Sequence, residues 1–276
     1  MPLQQIYIET TAGRVCVTDG GGTGQPVLFI HGNGFSSSSF SHQFNGDFLA
    51  DHRLLAIDLP GHGKSDNARD PETTYTLPGF AKIVRQVIST LKFEDVILVG
   101  WSLGGHIALE IIADAAAPVA AIAICGSPPI SHDPAMFGEA FKPTGIMGLL
   151  AIDSWTDQDA CTFVETVTGY VGRAVPDVFV SDAIRAHGQM RPIFTGSLMS
   201  GNYANEATLV GKSLIPLALI DGADDPLVER AYQDNLTYAN RWNDQTTIIE
   251  NAGHLPFWQQ PQAFDTALAS FINSVG

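Results

Sequence analysis

Residues 96–99, Val-Ile-Leu-Val, run through Gly100 and Trp101 into Ser102, and beyond it Leu103, Ile107, Ala108, Ile111 and Ile112 recur at helical spacing. An apolar strand therefore meets an amphipathic helix with a single serine at the join. So abrupt a turn brings the backbone at positions 100 and 104 together and leaves no space for side chains, which accounts for the glycine at each. A serine held at such an apex presents its hydroxyl beyond the end of a sheet. The fold must then supply a parallel sheet with helices that carry the chain back.

The rest of the chain meets that demand. Runs of strand length recur at 27–30, 54–57, 119–125, 217–220 and 246–249, several of them apolar on both faces, as strands of a covered parallel sheet are. Helical spacing lies between them, as in Phe80, Ile83, Val84, Val87, Ile88 and Leu91. The order predicts an α/β fold with a mostly parallel central sheet, right-handed crossovers and helices on both faces. Residues 6–10 and 14–18 alternate around Ala12-Gly13 and predict an opening hairpin. The glycine run after Asp19 precedes a strand and lacks the GK[ST] ending of a phosphate loop, so it reads as a flexible connector. Between about 131 and 209 no strand run appears. That stretch reads as a helical cap inserted into a core domain of 1–130 and 210–276, and it holds Met136, Met147, Met190 and Met199 with Phe137, Phe141, Trp155, Phe163, Phe179 and Phe194. Most of these residues suit the core of the insertion itself, and a few are expected to line a cleft for an apolar ligand.

A serine hydroxyl is a weak nucleophile and needs a base, which in turn needs an orienting acid. At a serine presented in this way the chain order is serine, acid, histidine. His254, in Asn251-Ala-Gly-His-Leu-Pro, follows the last strand and is the only histidine after the insertion. The acid belongs after the preceding strand, where Asp221, Asp224 and Asp225 stand in Asp221-Gly-Ala-Asp-Asp-Pro226. Asp221 suits the strand end and turn amides, and Asp225 is favoured over Asp224 by its three-residue step from Gly222. Acyl transfer also needs donors for the developing oxyanion. The backbone N–H of Asn33, in His31-Gly-Asn-Gly34, and that of Leu103 are the candidates. Asp58-Leu-Pro-Gly-His-Gly-Lys-Ser65 reads as a structural loop whose aspartate ties down amides, while His42, His52, His132 and His187 read as surface residues. No HExxH or HxHxD cluster supplies zinc ligands at their usual spacings, and no metal or cofactor is expected. Cys16, Cys125 and Cys161 are odd in number and widely spaced, as buried thiols of a reducing compartment are.

Taken together, HGNG, DLPGHGKS, VGWSLGGHIALEII, CGSPP, DGADDPLVE and NAGHLPF resemble the α/β-hydrolase type of N-acyl-homoserine lactonase, the metal-independent quorum-quenching enzymes, from about Ile30 to the C-terminus. The resemblance implies an α/β-hydrolase fold with a helical cap and a serine hydrolase that opens a lactone ring through Ser102, His254 and Asp225. Two positions depart from the family pattern: Asp225 stands where those enzymes carry Glu, and Phe163 aligns with a cap tyrosine. Trp101, Phe163 and Met147 are the candidates for contact with substrate. A carboxylesterase of other substrate range is the alternative within enzymes, and a non-catalytic ligand receptor on the same scaffold is the alternative outside them. Epoxide hydrolases and haloalkane dehalogenases use Asp where this chain has Ser102.

Net charge is −15, with only 14 Lys and Arg among 276 residues, so the field has the wrong sign for a nucleic acid or an anionic membrane. No segment offers the roughly 18 uninterrupted apolar residues of a membrane span, and the first residues lack a basic start with an apolar run. The expectation is a cytoplasmic protein whose partner is a small lactone or ester.

Overall fold

A computed structural model describes residues 3–46, 49–170 and 175–276, apart from the side chain of Met147. The strands β1 (Gln4–Thr10), β2 (Gly13–Asp19), β3 (Pro26–Ile30), β4 (Arg53–Ile57), β5 (Val96–Trp101), β6 (Val119–Cys125), β7 (Leu217–Gly222) and β8 (Thr247–Ile249) form one sheet. Its order is β1-β2-β4-β3-β5-β6-β7-β8. Only β1 with β2 and β2 with β4 are antiparallel; the remaining neighbours are parallel.

Two details differ from the sequence expectation. The hairpin turns at Thr11-Ala12, and Gly13 already pairs with Thr10 as the first residue of β2. Its φ of 125° is one that a side chain resists. The glycine run is also less free than a flexible connector: a Cβ on Gly24 would lie 1.7 Å from the Asp51 carbonyl oxygen and one on Gly22 2.6 Å from that of His52. Close approach of two backbones, more than mobility, accounts for those glycines.

Alternate residues of the central strands enter two separate cores. Leu28, Ile30, Leu98, Ile122 and Ile124 pack against the helices Leu77–Thr90 and Leu103–Ile112. Val27, Phe29, Ile97, Val99, Ala121 and Ala123 face the C-terminal helix Pro261–Val275 through Phe264, Leu268 and Phe271. Burial on both faces is why these strands read as continuous apolar runs.

Among the described residues of 131–209 every regular element is helical, including Pro134–Ala140, Asp157–Thr168, Asp177–Arg185 and Met190–Met199. The helix Asp157–Thr168 starts at a capping box between Thr156 and Asp159 and stops at Gly169, which takes φ 69°. It buries Ala160, Phe163, Val164 and Val167, a stripe at helical spacing. Asp182 of the next helix accepts hydrogen bonds from the Ser36 and Ser38 hydroxyls at 2.7 and 2.8 Å, and Arg185 donates to the Ser65 carbonyl at 2.6 Å. The insertion is thus fastened to loops that follow β3 and β4, at the carboxyl edge of the sheet. No helix among the described residues is long and apolar enough to cross a membrane.

Candidate active site

Ser102 has φ 53° and ψ −119°, a conformation L-residues rarely adopt and one that costs on the order of 1–3 kcal/mol. Its surroundings enforce it. The Ser102 N–H donates to the Cys125 carbonyl at 2.8 Å, and the Ser127 hydroxyl lies 2.8 Å from the Ser102 carbonyl. A Cβ on Gly100 would come within 2.4 Å of the Gly104 carbonyl oxygen, and one on Gly104 within 2.0 Å of that of Ile30. The two glycines are therefore steric necessities of the turn. Ser102 itself is half-buried, at the head of the helix Leu103–Ile112.

His254 is buried, and its Nδ1 lies 2.8 Å from Asp225 Oδ2. The other carboxylate oxygen accepts the N–H groups of Leu227 and Val228 at 2.7 and 3.1 Å. Burial works to raise the Asp225 carboxyl, but His254 and those amides outweigh it and hold the group below the usual carboxylate range. An ionised Asp225 fixes the imidazole with its proton on Nδ1. Nε2 is buried with no hydrogen-bond partner among the described residues, free to accept a proton. The loop around the histidine is held too: the Trp101 indole N–H donates to the His254 carbonyl at 2.8 Å, and Gly253 N–H donates to Gln259 Oε1 at 2.6 Å. Asp224 is exposed and Asp221 accepts the Gly126 N–H at 2.7 Å, so of the three aspartates only Asp225 contacts the histidine.

The loop after β3 is built on two neutral histidines. His31 donates from Nδ1 to the Gly32 carbonyl at 2.8 Å and accepts the Leu59 N–H on Nε2 at 3.0 Å; His62 donates to the Pro60 carbonyl at 3.1 Å and accepts the Gly34 N–H at 3.3 Å. Burial pushes them down to about 4 and about 3. The backbone N–H groups of Asn33 and Leu103 make no hydrogen bond with any described residue. Asp58 accepts the Ser37 and Lys64 amides at 2.8 Å each, which ties the neighbouring loop down.

Phe163 reaches this loop from the insertion, its Cε1 close enough that a Cβ on Gly34 would lie 2.9 Å away. It is buried, with Trp155 at 4.8 Å between ring centroids. Trp101 lies beneath the site between Phe35 and Phe257. Met147 belongs to the 3-10 helix Gly145–Ala151, with its side chain outside the described set. Cys125 is buried, and burial raises its thiol well above the ordinary value. Sequence reasoning missed the structural work of several polar residues. His187, expected at the surface, is half-buried with Nδ1 2.7 Å from the Tyr75 hydroxyl. His106 meets the fully buried Glu206 at 2.9 Å. Only the Gly-Ser pair directly after β6 hinted that residues 126 and 127 have a part in the site.

The model of the Alpha/beta hydrolase family matches residues 27–267. Structures of the N-acyl homoserine lactonase AidH superimpose on the chain at 33% identity. A variant of it complexed with N-hexanoyl homoserine gives a TM-score of 0.93 over 99% of this chain and 98% of that one. Another variant, complexed with N-hexanoyl homoserine lactone, gives 0.92 over the same shares. The AB hydrolase superfamily protein YisY of Bacillus subtilis (strain 168) is 35% identical over 107 residues, 39% of this chain and 39% of that protein. The 2-hydroxy-6-oxononadienedioate/2-hydroxy-6-oxononatrienedioate hydrolase of Cupriavidus pinatubonensis is 24% identical over 96% of this chain and 92% of that protein.

Proposed function

The chain belongs to the alpha/beta hydrolase family, and on that premise we propose that it opens the lactone ring of N-acyl homoserine lactones, with Ser102 as nucleophile, His254 as base and Asp225 as orienting acid. The observation that carries the substrate class is the likeness, over nearly the whole chain, to a lactonase solved with N-hexanoyl homoserine lactone and with N-hexanoyl homoserine, two compounds that differ by one water.

In this reading Ser102 Oγ attacks the ring carbonyl while His254 Nε2 takes its proton, and Asp225 stabilises the imidazolium from the Nδ1 side. The free amides of Asn33 and Leu103 receive the oxyanion. Collapse breaks the ring C–O bond, and His254 returns its proton to the departing alkoxide. The resulting ester links Ser102 to an acyl-homoserine that carries its own free hydroxyl. Water, deprotonated by the same histidine, attacks that ester and releases the acid and Ser102. The insertion lies where ligands of open α/β sheets bind, and we assign the acyl chain to the space beneath it.

The test is a panel of N-acyl homoserine lactones and p-nitrophenyl esters, with products identified by mass. Lactone conversion to a product one water heavier, abolished in Ser102→Ala, is expected. Turnover of simple esters alone makes the protein a carboxylesterase. Tight lactone binding with neither turnover nor a stoichiometric burst makes it a receptor.

A further inference from the structure

The last residue of β6 and the two that follow it touch both halves of the site. The Cys125 carbonyl accepts the Ser102 N–H at 2.8 Å. The Ser127 hydroxyl lies 2.8 Å from the Ser102 carbonyl and 2.9 Å from that of Cys125, so its single proton is shared between the nucleophile turn and the strap's own backbone. Gly105 leaves room for that hydroxyl, since a Cβ there would sit 2.2 Å from it. Gly126, with φ 62°, faces the imidazole so closely that a Cβ would lie 2.6 Å from His254 Cε1 and 2.8 Å from Nδ1. Residues 125–127 thus join the serine turn on one side and the imidazole ring on the other.

The strap has an anchor of its own. Asp221, buried at the end of β7 four residues before Asp225, accepts the Gly126 N–H on Oδ1 at 2.7 Å and the Gln233 amide on Oδ2 at 2.6 Å. We infer that Asp221 and Ser127 are positioning residues of the hydrolytic site, which hold residues 125–127 in place and thereby set Ser102 against His254. The inference rests on the reading of those two residues as nucleophile and base. Asp221 touches neither Ser102 nor His254; it acts through the Gly126 backbone, and its strand also leads to the acid. One buried carboxylate therefore ties β6, with its contacts to nucleophile and base, to the strand that delivers the third member. Misplacement of reacting groups by about 1 Å can lower turnover on the order of 100-fold, so a strap of this kind affects chemistry more than binding.

Asp221→Asn and Asp221→Ala separate anchoring from mere burial of a carboxyl. Asn keeps a carbonyl oxygen for Gly126. Its amide then needs an acceptor in place of the Gln233 donor, and Gln233 Oε1, buried without a partner among the described residues, supplies one when that amide rotates. Hydrolysis of p-nitrophenyl butyrate is measured per active site, the sites being counted by intact mass after covalent labelling of Ser102 with a fluorophosphonate. We expect kcat per labelled site to fall roughly 10- to 100-fold in Asp221→Ala and about 10-fold in Ser127→Ala, with KM within about twofold, and Asp221→Asn to recover most of the loss. Unchanged kcat per labelled site in Asp221→Ala and Ser127→Ala overturns the inference, as does an Asn variant no better than Ala. If Asp221→Ala does not fold, Ser127→Ala decides alone by the same criterion. A wild-type protein that hydrolyses the ester without labelling at Ser102 overturns the nucleophile assignment and this inference with it, whereas full labelling of every variant with undiminished kcat overturns only the positioning role.

Discussion

At the residue scale the acid is the sharpest question, because Asp224 and Asp225 are neighbours with the same charge and chemistry. Asp225 is buried, bonded to His254 and supported by two amides, whereas Asp224 is exposed. Asp225→Asn removes the charge that steadies the imidazolium and permits the wrong tautomer, so kcat is expected to fall about 10³- to 10⁴-fold with the circular dichroism spectrum unchanged. Asp224→Asn should leave kcat within about twofold, the scale of an ordinary surface substitution. Equal losses in the two variants would show that the geometry has been misread. Gly126→Ala tests the other side of the ring. Its Cβ would collide with His254 at a backbone angle that already disfavours a side chain, so kcat should fall while Ser102 remains open to the fluorophosphonate.

At the scale of the element, the helix Asp157–Thr168 joins stability to specificity. Phe163 is buried in its apolar stripe and its ring lies on the loop that carries Asn33. Phe163→Ala leaves a cavity expected to cost about 3–5 kcal/mol, measured by urea unfolding. The same change opens space beside Gly34, and the preference among acyl lengths should move with it. If the acyl chain lies beneath the insertion as proposed, each methylene buried there contributes at most roughly 0.8 kcal/mol, near a fourfold gain in kcat/KM. A series from butanoyl to decanoyl lactone checks this. A flat series, or a Phe163→Ala series identical to that of the wild type, removes the acyl chain from this helix.

For the molecule as a whole, acid stability depends on buried groups whose folded and unfolded states titrate at different pH. His31 and His62 stay neutral down to about 4 and about 3 in the folded state, while in the unfolded chain they titrate near 6.5. Unfolding therefore takes up protons as pH falls below about 6.5, and the stability these groups contribute is full above that value and lost towards their folded values. Asp221 and Asp265 oppose this. Burial pushes each up to about 6, so each favours the folded state as it protonates between about 6 and its ordinary 3.8. Between about pH 4 and 6 the two histidines and the two aspartates thus act in opposite senses. Replacing one histidine unmasks the balance: His62→Gln should shift the slope of unfolding free energy against pH by about 1.4 kcal/mol per unit in that window, towards greater relative stability in acid. Urea melts at pH 4, 5 and 6 measure it, and parallel slopes for the two proteins would mean that His62 is not held neutral.

What the sequence by itself determined was whatever depends on near neighbours along the chain. Gly100 and Gly104 bracket Ser102 because a turn of that tightness excludes Cβ atoms, and the strands announce themselves because a sheet covered on both faces needs apolar residues at every position. His254 could be named because chain order left it as the one histidine beyond the insertion. Tertiary structure decided the remainder. Asp224 and Asp225 share the same local sequence, and what parts them is that Asp224 is left exposed while the Asp225 side chain turns inward to His254. For the strap of residues 125–127 the Gly-Ser pair was only a hint, and its partners were not legible: Ser127 meets a carbonyl 25 positions away, and the Gly126 amide an aspartate 95 positions away. Trp101, read as a contact for substrate, donates its N–H across 153 positions to the His254 backbone. Steric demands within one turn are written in adjacent residues, whereas the partner of a buried polar group is whichever donor or acceptor the packed sheet brings within 3 Å, and that is settled only when the whole chain has folded.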